Sequence, residues 1–146
     1  VRYPAKVKAG AVSDHLLCFQ DVMPTLAALT GATPPDTDGL SFLPTLLNKS
    51  GQSEHEHLYW EYRNQTAVRM GQWKAFRGTS GVWELYDLSN DVEEKRNVAA
   101  DHPKILNQLI AHALDAHQPV RRGAVYDRKL IEKDRRQAPH HRKPKS

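Results

Sequence analysis

The chain of 146 residues is long enough for one modest core, and its 39% hydrophobic and 26% charged residues are ordinary for a globular protein. Its single cysteine excludes an intramolecular disulfide and a multi-cysteine metal cluster, and no apolar run approaches the roughly 18 residues of a membrane span. The formal net charge of +4 has its source near the C-terminus, because residues 120–146 alone carry a local net charge of +7.

The first fifty residues are predicted to contain a strand or extended entry, one helix and a connecting loop. Asp21 is a suitable N-cap, Pro24 is tolerated in a first turn, and Gly31 is a typical helix terminator. The Pro- and Asp-rich stretch 33–39 predicts a loop, and residues 41–47 predict a short helix.

From residue 57 the apolar period changes to two, which indicates β-strands. We predict four strands, over residues 57–62, 66–70, 72–77 and 82–87, joined by turns at 64, at 71 and at 78–81. The large apolar surfaces of Trp60, Trp73 and Trp83 favour positions in the core of this sheet over a role as ligand platforms.

A second helix is predicted near residue 103, with Asp101 as its cap and Pro103 close to its first position. Apolar residues then recur at helical spacing and form one face, at Leu106, Leu109, Ile110, Ala113 and Leu114. Because sheet and helix can cover each other, the sequence predicts an α+β fold in which a small four-stranded antiparallel sheet packs on a C-terminal helix.

The basic segment 120–146 is predicted to be a disordered tail. Segments with high charge and little apolar material are usually solvated, and Tyr126 is the one aromatic residue available for stacking on nucleic acid. A soft contact with an acidic polymer such as a sulfated polysaccharide is the alternative interpretation. The predicted organisation is therefore a first part over 1–50, a small α+β subdomain over 51–119, and this tail.

Few residues suggest chemistry of their own. His55 and His57 could begin a zinc site, but no further ligand follows at a suitable spacing, so we predict solvated loop histidines and no metal site. The chain has no G-x-S-x-G elbow and no phosphate-binding glycine pattern. No catalytic residue is predicted.

Several short motifs, in order, resemble the C-terminal region of the formylglycine-dependent sulfatases, the arylsulfatase family of the alkaline-phosphatase-like superfamily. They are DVMPTL at residues 21–26, DGLS at 38–41, AVR at 67–69, GQWK at 71–74, ELYDL at 84–88 and NVA at 97–99. The resemblance covers roughly residues 2–117. It implies that 1–50 hold the last strand and helix of a catalytic α/β domain, and that Lys74 in the WK motif is structural.

The resemblance also implies what the chain lacks. Enzymes of this family cleave sulfate monoesters with a formylglycine nucleophile, made from C/S-x-P-x-R, and bind one calcium ion. Cys18 is followed by neither the proline nor the arginine of that motif. A chain starting at Val1 is expected to be a C-terminal piece, inactive alone and without calcium, whose partner is the missing N-terminal catalytic domain. Periplasmic or secreted localisation is expected by resemblance.

In similar sulfatases, loops of the small sheet approach the leaving group of the substrate. By position, the rim residues here would be Tyr62, Arg63 and Asn64 on the first turn and Arg77 near the third. Arginine suits a sulfated small molecule or glycan because its planar fork pairs bidentately with oxyanions. The alternatives are that these are surface residues, that the chain is a standalone binding module for anionic glycan or nucleic acid, or that it is a domain without a ligand. Nucleic acid is not expected.

Overall fold

The computed structural model describes residues 1–34 and 36–118, of which Val1–Ala116 form one compact unit. The predicted tail at 120–146 lies outside the described residues. The helices are α1 (Val22–Thr30), α2 (Leu43–Leu46) and α3 (Pro103–Ala116), and the strands are β1 (Leu58–Tyr62), β2 (Gln65–Met70), β3 (Trp73–Arg77) and β4 (Trp83–Asp87). In the described part, no helix is long and apolar enough to span a membrane.

The four strands form one antiparallel sheet in the order β1-β2-β3-β4, so each strand pairs with its neighbour in sequence. The predicted α+β fold is confirmed, and the predicted strand limits differ from the observed ones by only one residue. Short turns explain this accuracy, because a two-residue turn such as 63–64 fixes the register of the strands that it joins.

The core lies between one face of the sheet and α3. Val68, Ala75 and Leu85 are direct cross-strand neighbours and are completely buried, as is Leu109 of α3. Such a row presents a continuous apolar surface to the helix. Burial of each large apolar side chain there stabilises the fold by about 1.5 to 3 kcal/mol. The predicted helix face is partly wrong at its end, since Leu114 is 71% exposed.

The prediction that all three tryptophans are core residues is wrong for Trp60. Trp73 and Trp83 pack against the core cluster, but Trp60 is 43% exposed. The cause is the alternation of side chains along β1, in which Tyr59 and not Trp60 is opposite the buried Val68. An aromatic pattern alone does not indicate which face is covered.

Of the two predicted helix caps, Asp21 is at the predicted position and Asp101 is one residue too early. The first residue of α3 is Pro103, whose fixed φ suits that position. The residue that flanks the helix is therefore His102, and the predicted cap at Asp101 is wrong by one position. Asp21 is the N-cap residue of α1, as predicted, but its side chain makes no capping hydrogen bond, because its carboxylate accepts the N–H groups of Cys18 and Leu40 instead. Gly31 ends α1 in the left-handed conformation, as predicted. No strand forms among residues 1–21, where the chain runs extended with turns and ends in a short 3-10 turn at Phe19–Asp21.

Candidate functional site

The predicted rim residues lie at one end of the sheet. Tyr62 pairs with Gln65, so that Arg63 and Asn64 form the turn between β1 and β2. Arg77, at the end of β3, pairs with Thr66 just beyond that turn. The fold thus brings Arg77 near the first turn, although it is 13 or more residues away along the chain.

The turn presents an aromatic side chain together with a cation. Tyr62 is 66% exposed, and the guanidinium carbon of Arg63 lies 5.2 Å from the centroid of its ring. Arg63 has a φ of 57°, a left-handed conformation that is uncommon for a residue with a side chain. A cation over an exposed aromatic ring can interact with an anionic group on one side and with an apolar sugar face on the other.

Arg77 is held more firmly than Arg63. Its Nη2 donates a hydrogen bond to Oγ1 of the buried Thr66 over 3.2 Å, and its guanidinium carbon lies 5.2 Å from the ring centroid of Trp83. These contacts use the apolar face and one N–H group of the guanidinium. The other N–H groups of its planar fork can still bind an oxyanion.

The surroundings of Tyr59, on β1, keep its hydroxyl group neutral. Burial raises the pKa of Tyr59 to about 12, and the hydrogen bond from its hydroxyl to Glu61, 2.9 Å long, adds to the effect. Tyr59 therefore donates a hydrogen bond to Glu61 and does not act as a base. The same holds for Tyr86, whose pKa is raised to about 12 by burial and by Glu84.

The histidines before β1 are not solvated, contrary to the prediction. The side chain of His55 is only 9% exposed, and its Nε2 lies 2.8 Å from Oδ1 of the buried Asp21. The His57 ring stacks on His112 of α3, with centroids 4.3 Å apart. Both pairs join residues 34 or more positions apart in sequence, so no local spacing could have revealed them.

Asp21 connects three parts of the first half of the chain. Its carboxylate accepts the N–H groups of Cys18 and Leu40, each over 2.8 Å, in addition to the contact with His55. Burial opposes ionisation, but these hydrogen bonds outweigh it and lower the pKa of Asp21. Burial raises the pKa of the neighbouring Cys18 thiol.

Comparison with known proteins shows which family has a similar sequence. Residues 1–118 match the family model described as N-sulphoglucosamine sulphohydrolase, C-terminal. The human N-acetylgalactosamine-6-sulfatase is 36% identical over 123 residues, covering 75% of this chain and 23% of that protein. The N-acetylgalactosamine-6-O-sulfatase of Bacteroides thetaiotaomicron is 33% identical over 127 residues, covering 75% of this chain and 25% of that protein.

A solved structure agrees with the sequence relatives. A putative sulfatase from Bacteroides thetaiotaomicron superposes with a TM-score of 0.57 at 27% identity, over 82% of this chain and 26% of that one. The chain therefore spans about a quarter of the length of the relatives that it matches. It belongs to the sulfatase family, and it matches the C-terminal region of that family.

Proposed function

We propose that the chain is the C-terminal part of a sulfuric ester hydrolase that cleaves sulfate monoesters when complete. The observation that carries this proposal is the match of residues 1–118 to a sulfatase C-terminal model, together with sulfatase relatives over three quarters of the chain. The partner of the chain is then an N-terminal catalytic domain of the same protein, and the complete enzyme is periplasmic or secreted. A standalone binding module is not favoured by these relatives.

In this proposal the nucleophile and the calcium ion belong to the remainder of the enzyme. Calcium takes six to eight oxygen ligands, whereas the metal-ligand cluster among the described residues combines a thiol, a carboxylate and an imidazole. This cluster does not fit calcium. Since Cys18 also stands outside the C/S-x-P-x-R context of formylglycine, no step of sulfate cleavage is assigned to this chain.

The contribution of the chain is to form part of the substrate rim. Tyr62, Arg63 and Asn64 offer an exposed aromatic ring, a cation and an amide at one turn. Arg77 adds a fixed cation at the same end of the sheet, on the face opposite to Tyr62, because their partners Thr66 and Gln65 are consecutive in β2. A guanidinium group beside an aromatic ring suits an anionic sulfated small molecule or glycan, because such a ligand has both oxyanions and apolar ring faces.

Activity of the isolated chain is the first test. The purified chain, incubated with an aryl sulfate and calcium, is expected to show no turnover. Turnover that disappears in Cys18→Ala would refute the assignment of the nucleophile to another part of the enzyme. Sequencing upstream of Val1 gives a second test, since a C/S-x-P-x-R motif is expected in the preceding few hundred residues.

The rim is tested in the full-length enzyme. Arg63→Ala is expected to raise KM for a sulfated sugar about tenfold or more, since a hydrogen bond to a charged group is worth about 1.5 to 3 kcal/mol. The kcat value should change little. Arg69→Ala is the matched control, because Arg69 donates to the carbonyl of Gly71 at the opposite end of the sheet. Equal KM values for Arg63→Ala and the wild type would contradict the rim assignment.

A further inference from the structure

A thiol, a carboxylate and an imidazole converge beside α1. Ligand atoms of Cys18, Asp21 and His55 all lie within 4.8 Å of one another. They come from the residue before a short 3-10 turn, from the end of that turn and from the loop before β1. Asp21 is 1% exposed and the His55 side chain 9% exposed, whereas Cys18 is partly open to solvent.

The carboxylate in this cluster is fixed before any ligand binds. Oδ1 of Asp21 lies 2.8 Å from both the N–H nitrogen of Leu40 and Nε2 of His55, and Oδ2 lies 2.8 Å from the N–H nitrogen of Cys18. An ionised carboxylate offers about four acceptor positions. The N–H groups of Leu40 and Cys18 and the His55 ring use three, and the Cys18 thiol also donates a hydrogen bond to the Asp21 side chain. Outer hydrogen bonds of this kind orient metal ligands in proteins.

Cys18 occupies an N-cap position, where the hydroxyl group of serine or threonine would accept a backbone hydrogen bond better than sulfur does. Cys18 is the N-cap residue of the 3-10 turn, and its N–H group donates to the Asp21 carboxylate over 2.8 Å, but its side chain makes no capping hydrogen bond. Capping boxes normally use a hydroxyl, because sulfur is a weak hydrogen-bond acceptor. Backbone capping alone therefore does not require a thiol at this position, and a thiol is a ligand that zinc accepts.

We propose that Cys18, Asp21 and His55 bind one zinc ion, with water as the fourth ligand on the open side of Cys18. Zinc accepts sulfur, nitrogen and oxygen ligands in a tetrahedron, and bonds of about 2.0 to 2.3 Å place ligand atoms roughly 3.3 to 3.6 Å apart. These separations fall between the 2.8 Å of the Asp21–His55 contact and the 4.8 Å that bounds the cluster. Small side-chain adjustments suffice.

Binding would change protonation in a defined way. The Cys18 thiol loses its proton to solvent, and neutral His55 coordinates through Nε2 with its remaining proton on Nδ1. The ion takes the place of the hydrogen bond between His55 and Asp21. The site would then link the start of α1 to the loop before β1, independently of whether the complete protein cleaves sulfate esters.

Metal titration of the full 146-residue chain under reducing conditions tests the site. One equivalent of Zn²⁺ is expected to bind and to raise the melting temperature, because a ligand of the native state stabilises it. Cys18→Ser should bind zinc at least about tenfold more weakly. This variant keeps a capping hydroxyl and should fold as well as the wild type without metal. His15→Gln, which changes a histidine outside the cluster, should bind zinc like the wild type.

Cobalt provides a readout that a purely structural role would not change. Co²⁺ in the wild-type chain is expected to give a near-ultraviolet charge-transfer band from thiolate to cobalt, and Cys18→Ser should lack it. Equal zinc affinity of Cys18→Ser and the wild type, or cobalt binding without that band, would overturn the proposal. Either result would leave the cluster as a hydrogen-bonded cap only.

Discussion

The imidazole rings of His57 and His112 stack with their centroids 4.3 Å apart and an interplanar angle of 28°, and so connect the residue before β1 to α3. Nδ1 of His57 and Nε2 of His112 are both buried without a hydrogen-bond partner among the described residues. Two such rings pack well only while both are neutral. The contact is therefore sensitive to pH.

Acidification is expected to weaken this contact. Burial lowers the pKa of His57 from its usual 6.5, and a positive charge on His112 or His55 lowers it further, against the opposing effect of Glu56 and Asp115. Because the folded pKa lies below the unfolded one, the stabilisation is complete above about pH 6.5 and is lost as the pH falls below it.

The variant His112→Phe tests this prediction, since it keeps an aromatic ring but cannot be protonated. The free energy of unfolding, measured with urea from about pH 7.5 to about pH 5.5 on either side of the usual histidine pKa, should fall less in His112→Phe than in the wild type. His15→Phe is the control for removing a histidine elsewhere. Equal pH dependence in His112→Phe and the wild type would contradict the role of the pair.

A second prediction concerns the core between the sheet and α3 and its contribution to the free energy of unfolding. Leu109 is completely buried against the row formed by Val68, Ala75 and Leu85. Leu109→Ala should lower the free energy of unfolding by about 2 to 5 kcal/mol, because it removes apolar contacts and leaves a cavity. Leu114→Ala on the same helix should change it by less than about 0.5 kcal/mol, since Leu114 is 71% exposed. Similar losses in both variants would show that α3 is packed differently.

Gly39 is required by a close approach of two backbone segments. A Cβ atom at this position would lie 2.1 Å from the carbonyl oxygen of Gln20 and 3.1 Å from the nitrogen of Asp21. Gly39→Ala should therefore push the 38–40 loop away from residues 20 and 21, at a cost of about 1 to 3 kcal/mol. Thermal unfolding measures this cost.

Gly78→Ala is the matched control for that substitution. A Cβ at residue 78 would meet only the Phe76 ring, 3.3 Å away, and that side chain can move. Its melting temperature should stay close to that of the wild type. If Gly39→Ala behaves like Gly78→Ala, the loop is not held against residue 20 as described. Addition of zinc should also distinguish the two variants, because the displaced loop carries the N–H group of Leu40 that holds Asp21.

The sequence predicted the sheet well because its information is local. Alternating side chains and turn residues specify strands such as 73–77 within a few positions. The same reasoning predicted a turn at Asn64, and the structure has it at residues 63–64. The exposure of Trp60 was not predictable, because it depends on what covers each face of the sheet. No pattern within β1 contains that information.

The contacts of the histidines were not predictable for a related reason. His55 and Asp21 are 34 residues apart in sequence, and their contact depends on the tertiary fold and not on any local pattern. His57 reaches a partner on α3, which is even more distant in sequence. The N-cap position of Asp21 was predictable from local rules, whereas the tertiary hydrogen bonds of its carboxylate to Leu40 and His55 were not.

The last prediction concerns the lysine of the WK motif. Nζ of Lys74 lies 2.5 and 2.7 Å from the two carboxylate oxygens of Glu94, and the two side chains are only 25% and 32% exposed. Glu94 has a φ of 55°, which favours glycine, so the ion pair holds a turn that its backbone does not favour. This geometry supports the structural interpretation of Lys74.

A double-mutant cycle with Lys74→Met and Glu94→Gln should give a coupling energy of about 0.5 to 1 kcal/mol. The coupling should decrease in high salt, because the pair is partly accessible to ions. The neighbouring ion pair of Lys95 and Glu93 is the control, since its side chains are 74% and 70% exposed and solvent screens the attraction. Its cycle with Lys95→Met and Glu93→Gln should give no measurable coupling. If both cycles give the same value, burial of the Lys74 contact adds nothing, and the WK lysine would have to be assigned a role outside the small sheet.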